Sequence, residues 1–305
     1  MTNPSSLEPN PASIGRVPAP PFARLPDPRA LFAARRQRLE ALARTSDLAP
    51  YLRFIAGLAD AQHRIQEGLA EPDLPPADAL DRAREFGMPP LDRNRFEIDT
   101  TVEETLNRLF DAASSLVKPE EAQAALKRVK DASVEKITAM VRGVLADSIP
   151  ADAIAEHAYV AAGLQVHFAR LAARFDAGKL ARVGDGACPS CGGPPVSSLV
   201  VGWMGAEGAR YCACSLCGTL WNVVRVKCVL CSSTKGVGYK EIEGGPGTIK
   251  AECCDACHGY VKILYQQKDA ALDPVADDIA SFGLDLLMRE SEYRRGSFNP
   301  FLLGA

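Results

Sequence analysis

The chain has 305 residues, 47% of them hydrophobic, and a net charge of −3. That length fits one large domain or two ordinary ones, each with enough apolar residues for a core. The mild acidity argues against a nucleic-acid binder or a membrane-surface protein.

Residues 1–28 open with MTNPSSLEPNPASIGRVPAPPF, which has neither the basic start nor the apolar stretch of a secretory signal. They read as a Pro-rich flexible tail, and a cytoplasmic location is expected. No apolar run approaches the roughly 20 residues of a membrane span, so no membrane insertion is expected. A helical domain is predicted over 29–183. A short helix follows Pro28, and a second carries Leu52, Ile55, Leu58 and Leu69 near one face. The stretch from Pro72 to about Asp99 contains Pro75–Pro76 and Pro89–Pro90 and should be free of helix. Thr101 and Glu104 have capping-box spacing ahead of Leu106, Leu109, Phe110, Ala113 and Leu116. Pro119 suits the first turn of the next helix. Ile137, Met140, Val141, Val144 and Leu145 mark another. After Pro150 a long helix should carry Ile154, Ala158, Ala161, Leu164, Phe168 and Leu171 along one stripe facing a bundle core. His63, His157 and His167 lie in these helices, and their spacing does not make a metal site. No catalytic triad, phosphate loop or dinucleotide fingerprint occurs.

After Gly184 the helical period stops, and short strands with tight turns are predicted through Tyr265. A last helix should begin near Asp273–Pro274, with Ile279, Phe282, Leu286 and Leu287 on its buried side. The apolar end SFNPFLLGA should dock on the body.

All ten cysteines fall between Cys188 and Cys257. Eight form four C-x-x-C knuckles: Cys188/Cys191, Cys214/Cys217, Cys228/Cys231 and Cys254/Cys257. Twenty-two residues separate the knuckles within each set, and the second set repeats the first at an offset of forty. Two thiolates from one tight turn occupy two corners of a tetrahedron, and the next knuckle supplies the other two. The spacing therefore predicts two four-thiolate metal sites, which crosslink β ribbons too small to stand alone. Disulfides do not suit C-x-x-C pairs in a reducing compartment. Cys212 and Cys253 break the forty-residue register, since their counterparts are Glu252 and Ala213, and they are read as packed non-ligands. Zinc and iron both accept four thiolates, so the spacing leaves the metal open. The C-P-x-C-G sequence at Cys188–Gly192 and the C-x-x-C-G sequence at Cys214–Gly218 look like rubredoxin knuckles. Ser232 and His258 replace those glycines in the second set, and His258 is a conceivable substitute ligand beside Cys257. The fold class read from these features is α+β: an N-terminal α-helical domain, two tandem rubredoxin-like or zinc-ribbon β modules over 184–226 and 227–270, and a C-terminal helix and tail over 271–305.

Four stretches, CPSCGGPPVSS, RYCACSLCGTLWNVVRVKCVLC, IKAECCDACHGYVKILYQQKD and DDIASFGLDLLM followed by NPFL, resemble the FdhE family of formate dehydrogenase accessory proteins. The resemblance covers roughly Cys188 to Leu302. It implies two iron-binding rubredoxin-like modules behind a helical domain, with one iron per site on the eight knuckle cysteines. It also implies a non-enzymatic cytoplasmic maturation factor, a chaperone that binds the catalytic subunit of respiratory formate dehydrogenase before its twin-arginine export. Trp221, Tyr260, Arg225 and Lys227 are candidate contacts, and a homodimer is left open. Two other functions compete. A four-thiolate iron can exchange one electron, which suits a small electron-transfer protein. A zinc-ribbon nucleic-acid binder would use basic surface, but Cys188–Lys268 has only eight Lys or Arg against five Asp or Glu. A thioredoxin-type enzyme would need one reactive C-x-x-C at a helix start, not four at ligand spacing.

Overall fold

Strand β1 (Ala23–Arg24) opens the part of the chain, residues 19–302, that the computed structural model describes. It pairs antiparallel with a strand of the cysteine region, and Tyr211 donates its hydroxyl hydrogen to Pro21 O at 2.8 Å. The end of the expected flexible tail is thus docked as an edge strand. Residues 1–18 of that tail lie outside the described residues.

Asp27 caps helix α1 (Pro28–Leu42) by accepting from the Arg29 and Ala30 amides, and Pro28 takes a first-turn position where no amide donor is needed. Helix α2 (Ala49–Arg64) packs on α1. A short helix, α3 (Ala77–Glu85), interrupts the Pro-rich connection that was expected to hold none. Pro75 and Pro76 precede it, with Pro76 at the cap, and Pro89 and Pro90 follow it, so none breaks its interior. Helix α4 (Thr100–Ser114) is capped by Asp99, not by the expected Thr101. The Asp99 carboxylate accepts from Thr101 N at 2.9 Å and Val102 N at 3.0 Å. The preceding carboxylate takes the orphan amides, and Thr101 falls inside the first turn with Glu104 just beyond it.

Helices α5 (Glu120–Lys130) and α6 (Val134–Leu145) follow, with Pro119 at the cap of α5. Helix α7 (Ile154–Ala172) packs against α1, α2, α4, α5 and α6. Every residue from Tyr159 to Ala169 is buried, so the single predicted stripe understates it. A helix surrounded by others must be apolar on all sides. Gly163 admits α4 closely, since a Cβ there would lie 2.6 Å from Leu106 Cδ2.

The cysteine region is one sheet. Strands β2 (Pro195–Val200), β3 (Arg210–Cys214) and β4 (Leu220–Val223) form the first module. Strands β5 (Val237–Lys240), β6 (Ile249–Cys254) and β7 (Gly259–Tyr265) form the second. The spatial order is β1-β4-β3-β2-β7-β6-β5, antiparallel within each module, while β2 and β7 pair in parallel at the junction. The forty-residue repeat is therefore a repeat in space: each module stacks its strands in the same order. Arg210 of β3 and Glu252 of β6, both buried, cross the junction with a contact at 2.8 Å.

The single predicted C-terminal helix breaks at Ser281 into α8 (Ala276–Ala280) and α9 (Phe282–Arg289). The break resets the helical phase. Ile279, Leu284 and Met288 face inward, while Leu286 and Leu287, expected to be buried, are exposed. Buried Lys262 of β7 and Arg295 of β8 (Arg294–Arg295) draw Asp278 and Asp285 in with them. The tail docks as expected: Phe301 is buried, and its carbonyl accepts from the Tyr51 hydroxyl at 2.5 Å. Residues 303–305 lie outside the described residues. Among the described residues, no helix is long and apolar enough to cross a membrane.

Candidate metal centres

Each knuckle is a tight turn: the second and fourth close the ends of β3 and β6, and the first and third lie in the loops that lead into β2 and β5. In the first, the Gly192 amide donates to Cys188 O at 2.8 Å, and Gly192 adopts φ 74°. The same position in the second knuckle is Gly218, at φ 73°. Ser232 and His258 hold it in the third and fourth, at φ 64° and 52°. The second module thus keeps the left-handed turn without glycine, which costs backbone energy at both places. Their amides make the same bond, Ser232 N to Cys228 O at 2.9 Å and His258 N to Cys254 O at 2.8 Å.

The turns bring the eight knuckle cysteines together as Cys188, Cys191, Cys214 and Cys217, and as Cys228, Cys231, Cys254 and Cys257. Within each four, the sulfurs all lie within 4.8 Å of one another. Sulfur–sulfur separations are 3.5 Å for Cys188–Cys217 and 3.4 Å for Cys191–Cys214. In the second group they are 3.8 Å for Cys228–Cys257 and 3.6 Å for Cys231–Cys254. A tetrahedron with metal–sulfur bonds of about 2.3 Å has edges of about 3.8 Å. Four soft donors at nearly that spacing fit one tetrahedral ion in each group, zinc or iron.

The two groups differ in surroundings. All four cysteines of the first are buried, whereas Cys231 and Cys257 of the second are exposed. The Pro-rich connection covers the first group: Leu91 N donates to Ser190 O at 3.0 Å, and a Cβ on Gly192 would meet Pro89. Helix α7 covers another side, where Gln165 Nε2 donates to Ser215 O at 2.8 Å. Arg93 is the charged neighbour. Its guanidinium grips Asp147 at 2.8 and 2.9 Å, and a Cβ on Gly193 would lie 2.7 Å from its Nη1. Burial opposes the Arg93 charge. Asp147, and behind it the Cys191 and Cys214 sulfurs, outweigh burial and keep it protonated. An ion in four thiolates carries net negative charge, which a buried guanidinium offsets. Arg93 and Asp147 were not found from sequence; the doubled glycine after Cys191 was the one local sign that something approaches there.

Burial also raises the Cys214 thiol, but hydrogen bonds from Cys188, Cys191, Cys217 and the Cys217 amide reverse the balance and hold it low. The Ser233 amide lowers the Cys231 thiol. Cys212 and Cys253 join neither group, and burial pushes their thiols up to about 12 and about 11. They stay protonated and unreactive. Among the described residues, no histidine enters either group. His157 Nδ1 lies 2.7 Å from Ala153 O, His167 packs edge-on to Phe96, and His258 pairs with Glu292 at 3.1 Å. Of the candidate contacts, Trp221 and Tyr260 are buried and bonded inward, to Asp185 O and to Asp285 Oδ1. Lys227 pairs with Asp185, while Val224, Arg225 and Val226 form an exposed bridge between the modules.

Profiles of one family match successive parts of the chain: FdhE, N-terminal, over residues 20–185; FdhE, central domain, over 187–225; and FdhE, C-terminal domain, over 226–302. The chain is 49% identical over 302 residues to the protein FdhE homolog of Rhizobium meliloti (strain 1021), covering 98% of this chain and 99% of that one. It is 35% identical over 299 residues to the protein FdhE homolog of Proteus mirabilis (strain HI4320), covering 97% and 94%. The crystal structure of the FdhE protein from Pseudomonas aeruginosa superposes with a TM-score of 0.81 at 31% identity, over 93% of this chain and 99% of that one.

Proposed function

This chain belongs to the FdhE family, and we propose that it is a non-enzymatic accessory protein of respiratory formate dehydrogenase. In this reading it binds the catalytic subunit in the cytoplasm during maturation, and each four-cysteine group holds one iron. The observation that carries the reading is the pair of closed four-sulfur cages on a chain matched by the family along its length. Four thiolates complete a tetrahedron and leave no position for a substrate, which suits a structural or electron-exchange centre and not Lewis-acid catalysis. Iron held this way supplies one-electron chemistry when bound. The protein's residues do the rest. Backbone amides point at the sulfurs of Cys214, Cys228, Cys231 and Cys257, Arg93 balances the first cage, and the cages hold the sheet in the shape that meets the partner.

A second reading has one observation in its favour. Cys231 and Cys257 are exposed, so the second cage lies at the surface, where an electron could pass to another protein. Oxygen-free purification followed by metal analysis and capture of the purified catalytic subunit tests both readings. Two irons per chain and a stable complex are expected. No complex under reducing, oxygen-free conditions would end the accessory reading, and zinc alone would return the ribbon reading.

A further inference from the structure

The forty-residue repeat aligns the covers of the two cages position by position. In the first cage the covered positions are Ser190 and Ser215. Ser190 O accepts from Leu91 N and Ser215 O from Gln165 Nε2, so the helical domain closes both knuckles. Their counterparts in the second cage are Leu230 and Asp255. Both meet one short segment near the C-terminus, residues 292–296. Tyr293 donates its hydroxyl hydrogen to Asp255 Oδ1 at 2.7 Å. Leu230 is seated between two glycines: a Cβ on Gly296 would lie 2.2 Å from its Cδ1, and one on Gly259 2.4 Å. Two backbone amides complete the contact, Arg294 N donating to His258 O at 2.7 Å and Gly296 N to Tyr260 O at 2.9 Å.

The two covers differ in what they leave open. All four sulfurs of the first cage are buried, whereas the C-terminal segment touches both knuckles of the second and leaves Cys231 and Cys257 exposed. An incoming ligand therefore reaches the second cage from solvent, while the first has to wait for the fold to open locally. Strain acts in the same direction. Ser232 and His258 hold left-handed turns without glycine, so both knuckles of the second cage relax when nothing holds them. We propose that the second cage is a metal-exchange site, and that residues 292–296 are a clasp whose closing over its knuckles is linked to its occupancy, while the first cage keeps its ion. The proposal rests on the reading that each cage holds one ion, and not on the client protein. In the exchange the ion passes to the incoming ligand, and the sulfurs left behind take up protons from water.

The linkage follows from where the clasp makes its contacts. Leu230 lies between Cys228 and Cys231, Asp255 lies between Cys254 and Cys257, and His258 follows Cys257. These are the residues whose positions a bound ion fixes. A closed clasp therefore favours the bound ion, and the bound ion favours a closed clasp by the same factor. The clasp also has a fixed root. Buried Asp278 and Asp285 hold Arg295 at 2.5 and 2.6 Å, so its opening stays local and leaves α8 and α9 in place.

The test uses the full chain loaded with zinc, which removes oxidation as a second route, and the coloured chelator 4-(2-pyridylazo)resorcinol in excess without oxygen. Absorbance should show two phases of one ion each, the fast one at least about tenfold faster than the slow. Cys188→Ser/Cys191→Ser should keep only the fast phase, and Cys228→Ser/Cys231→Ser only the slow. Tyr293→Phe keeps the ring and removes the bond to Asp255. It should speed the fast phase roughly fivefold, the worth of one hydrogen bond, and leave the slow phase alone. General destabilisation would move both phases. Hydrogen exchange read by NMR gives a measurement on the parent protein itself. Once the fast ion has left, the Arg294 and Gly296 amides should exchange at least about tenfold faster, while the Cys188 and Gly192 amides of the first cage stay protected. One rate for both ions, a slow phase that comes from the second cage, an unchanged fast phase in Tyr293→Phe, or clasp amides equally protected after release would each overturn the proposal and leave the cage reading standing. Failure of the chain to load two ions would overturn both. Two phases with the expected Tyr293→Phe effect, from a protein that does not bind the catalytic subunit, would uphold the proposal and end the accessory reading.

Discussion

Replacing Gly218 with Ala should cost roughly 2–3 kcal/mol of folding stability, from two effects that add. Gly218 sits at φ 73°, where any residue with a Cβ costs roughly 1–2 kcal/mol. The new methyl would also stand 2.7 Å from Leu31 Cδ2 and 3.5 Å from Pro26 Cβ. Relieving an overpacked contact costs about 1–3 kcal/mol, and the mobile end of Leu31 puts this one at the low end. Two other glycines separate the effects. Gly205 has φ 77° with nothing among the described residues within 4 Å of its Cβ position, so Gly205→Ala carries the backbone cost alone. Gly283 lies in α9, also with nothing among the described residues within 4 Å, and Gly283→Ala should stabilise by up to about 1 kcal/mol through helix propensity. Thermal unfolding of the metal-loaded proteins, followed by circular dichroism without oxygen and with metal content measured first, should rank Gly283→Ala highest. The parent protein, Gly205→Ala and Gly218→Ala should follow in that order. If Gly218→Ala melted with the parent protein, the left-handed knuckle turn would be wrong. If it melted with Gly205→Ala, the packing of α1 on that knuckle would be wrong.

His167 is held neutral by burial, with its pKa lowered from 6.5 to about 4; the unfolded chain takes up that proton first, so acidification favours unfolding. Stability should fall between pH 6.5 and pH 4 at a limiting slope of about 1.4 kcal/mol per pH unit, and denaturant titrations at several pH values should show His167→Leu flatter than the parent protein by that amount. Glu252→Leu should cost about 3–5 kcal/mol because it strands the buried Arg210 charge across the module junction, and Arg210→Met/Glu252→Leu should recover most of the loss in the same titrations. Metal analysis should find one ion lost from Cys188→Ser/Cys191→Ser and the other retained, whereas Cys212→Ser/Cys253→Ser should keep both. A drop to one ion in the latter variant would contradict the grouping of the sulfurs.

The two groupings of four sulfurs were legible because a set of converging thiols is fixed by local spacing, and a repeat at forty residues states that spacing twice. Cys214 and Cys254 were separable from Cys212 and Cys253 by register alone, and the same offset reappears in the strands. The joining of β2 to β7 was not legible. Parallel pairing between segments some sixty residues apart leaves no local pattern. Local competition misled the reading at Asp99, where a carboxylate two residues ahead of Thr101 takes the cap. The helix break at Ser281 depends on Lys262 and Arg295 drawing Asp278 and Asp285 inward, which a hydrophobic period cannot register. The burial of α7 on every side reflects its central place among five helices, a property of the assembly and not of its own sequence. Arg93 reaches the first cage from a connection about a hundred residues upstream, so its place there came only with the fold.

If two closed thiolate cages hold the shape by which this protein engages a formate dehydrogenase catalytic subunit, binding must depend on them. The most direct test is calorimetric titration of the purified subunit, without oxygen, into three forms of the protein: metal-loaded, lacking the first cage through Cys188→Ser/Cys191→Ser, and metal-free but still helical by circular dichroism. Binding to the first form and its loss in the other two are expected. Equal affinity for the metal-free, folded protein would contradict that dependence.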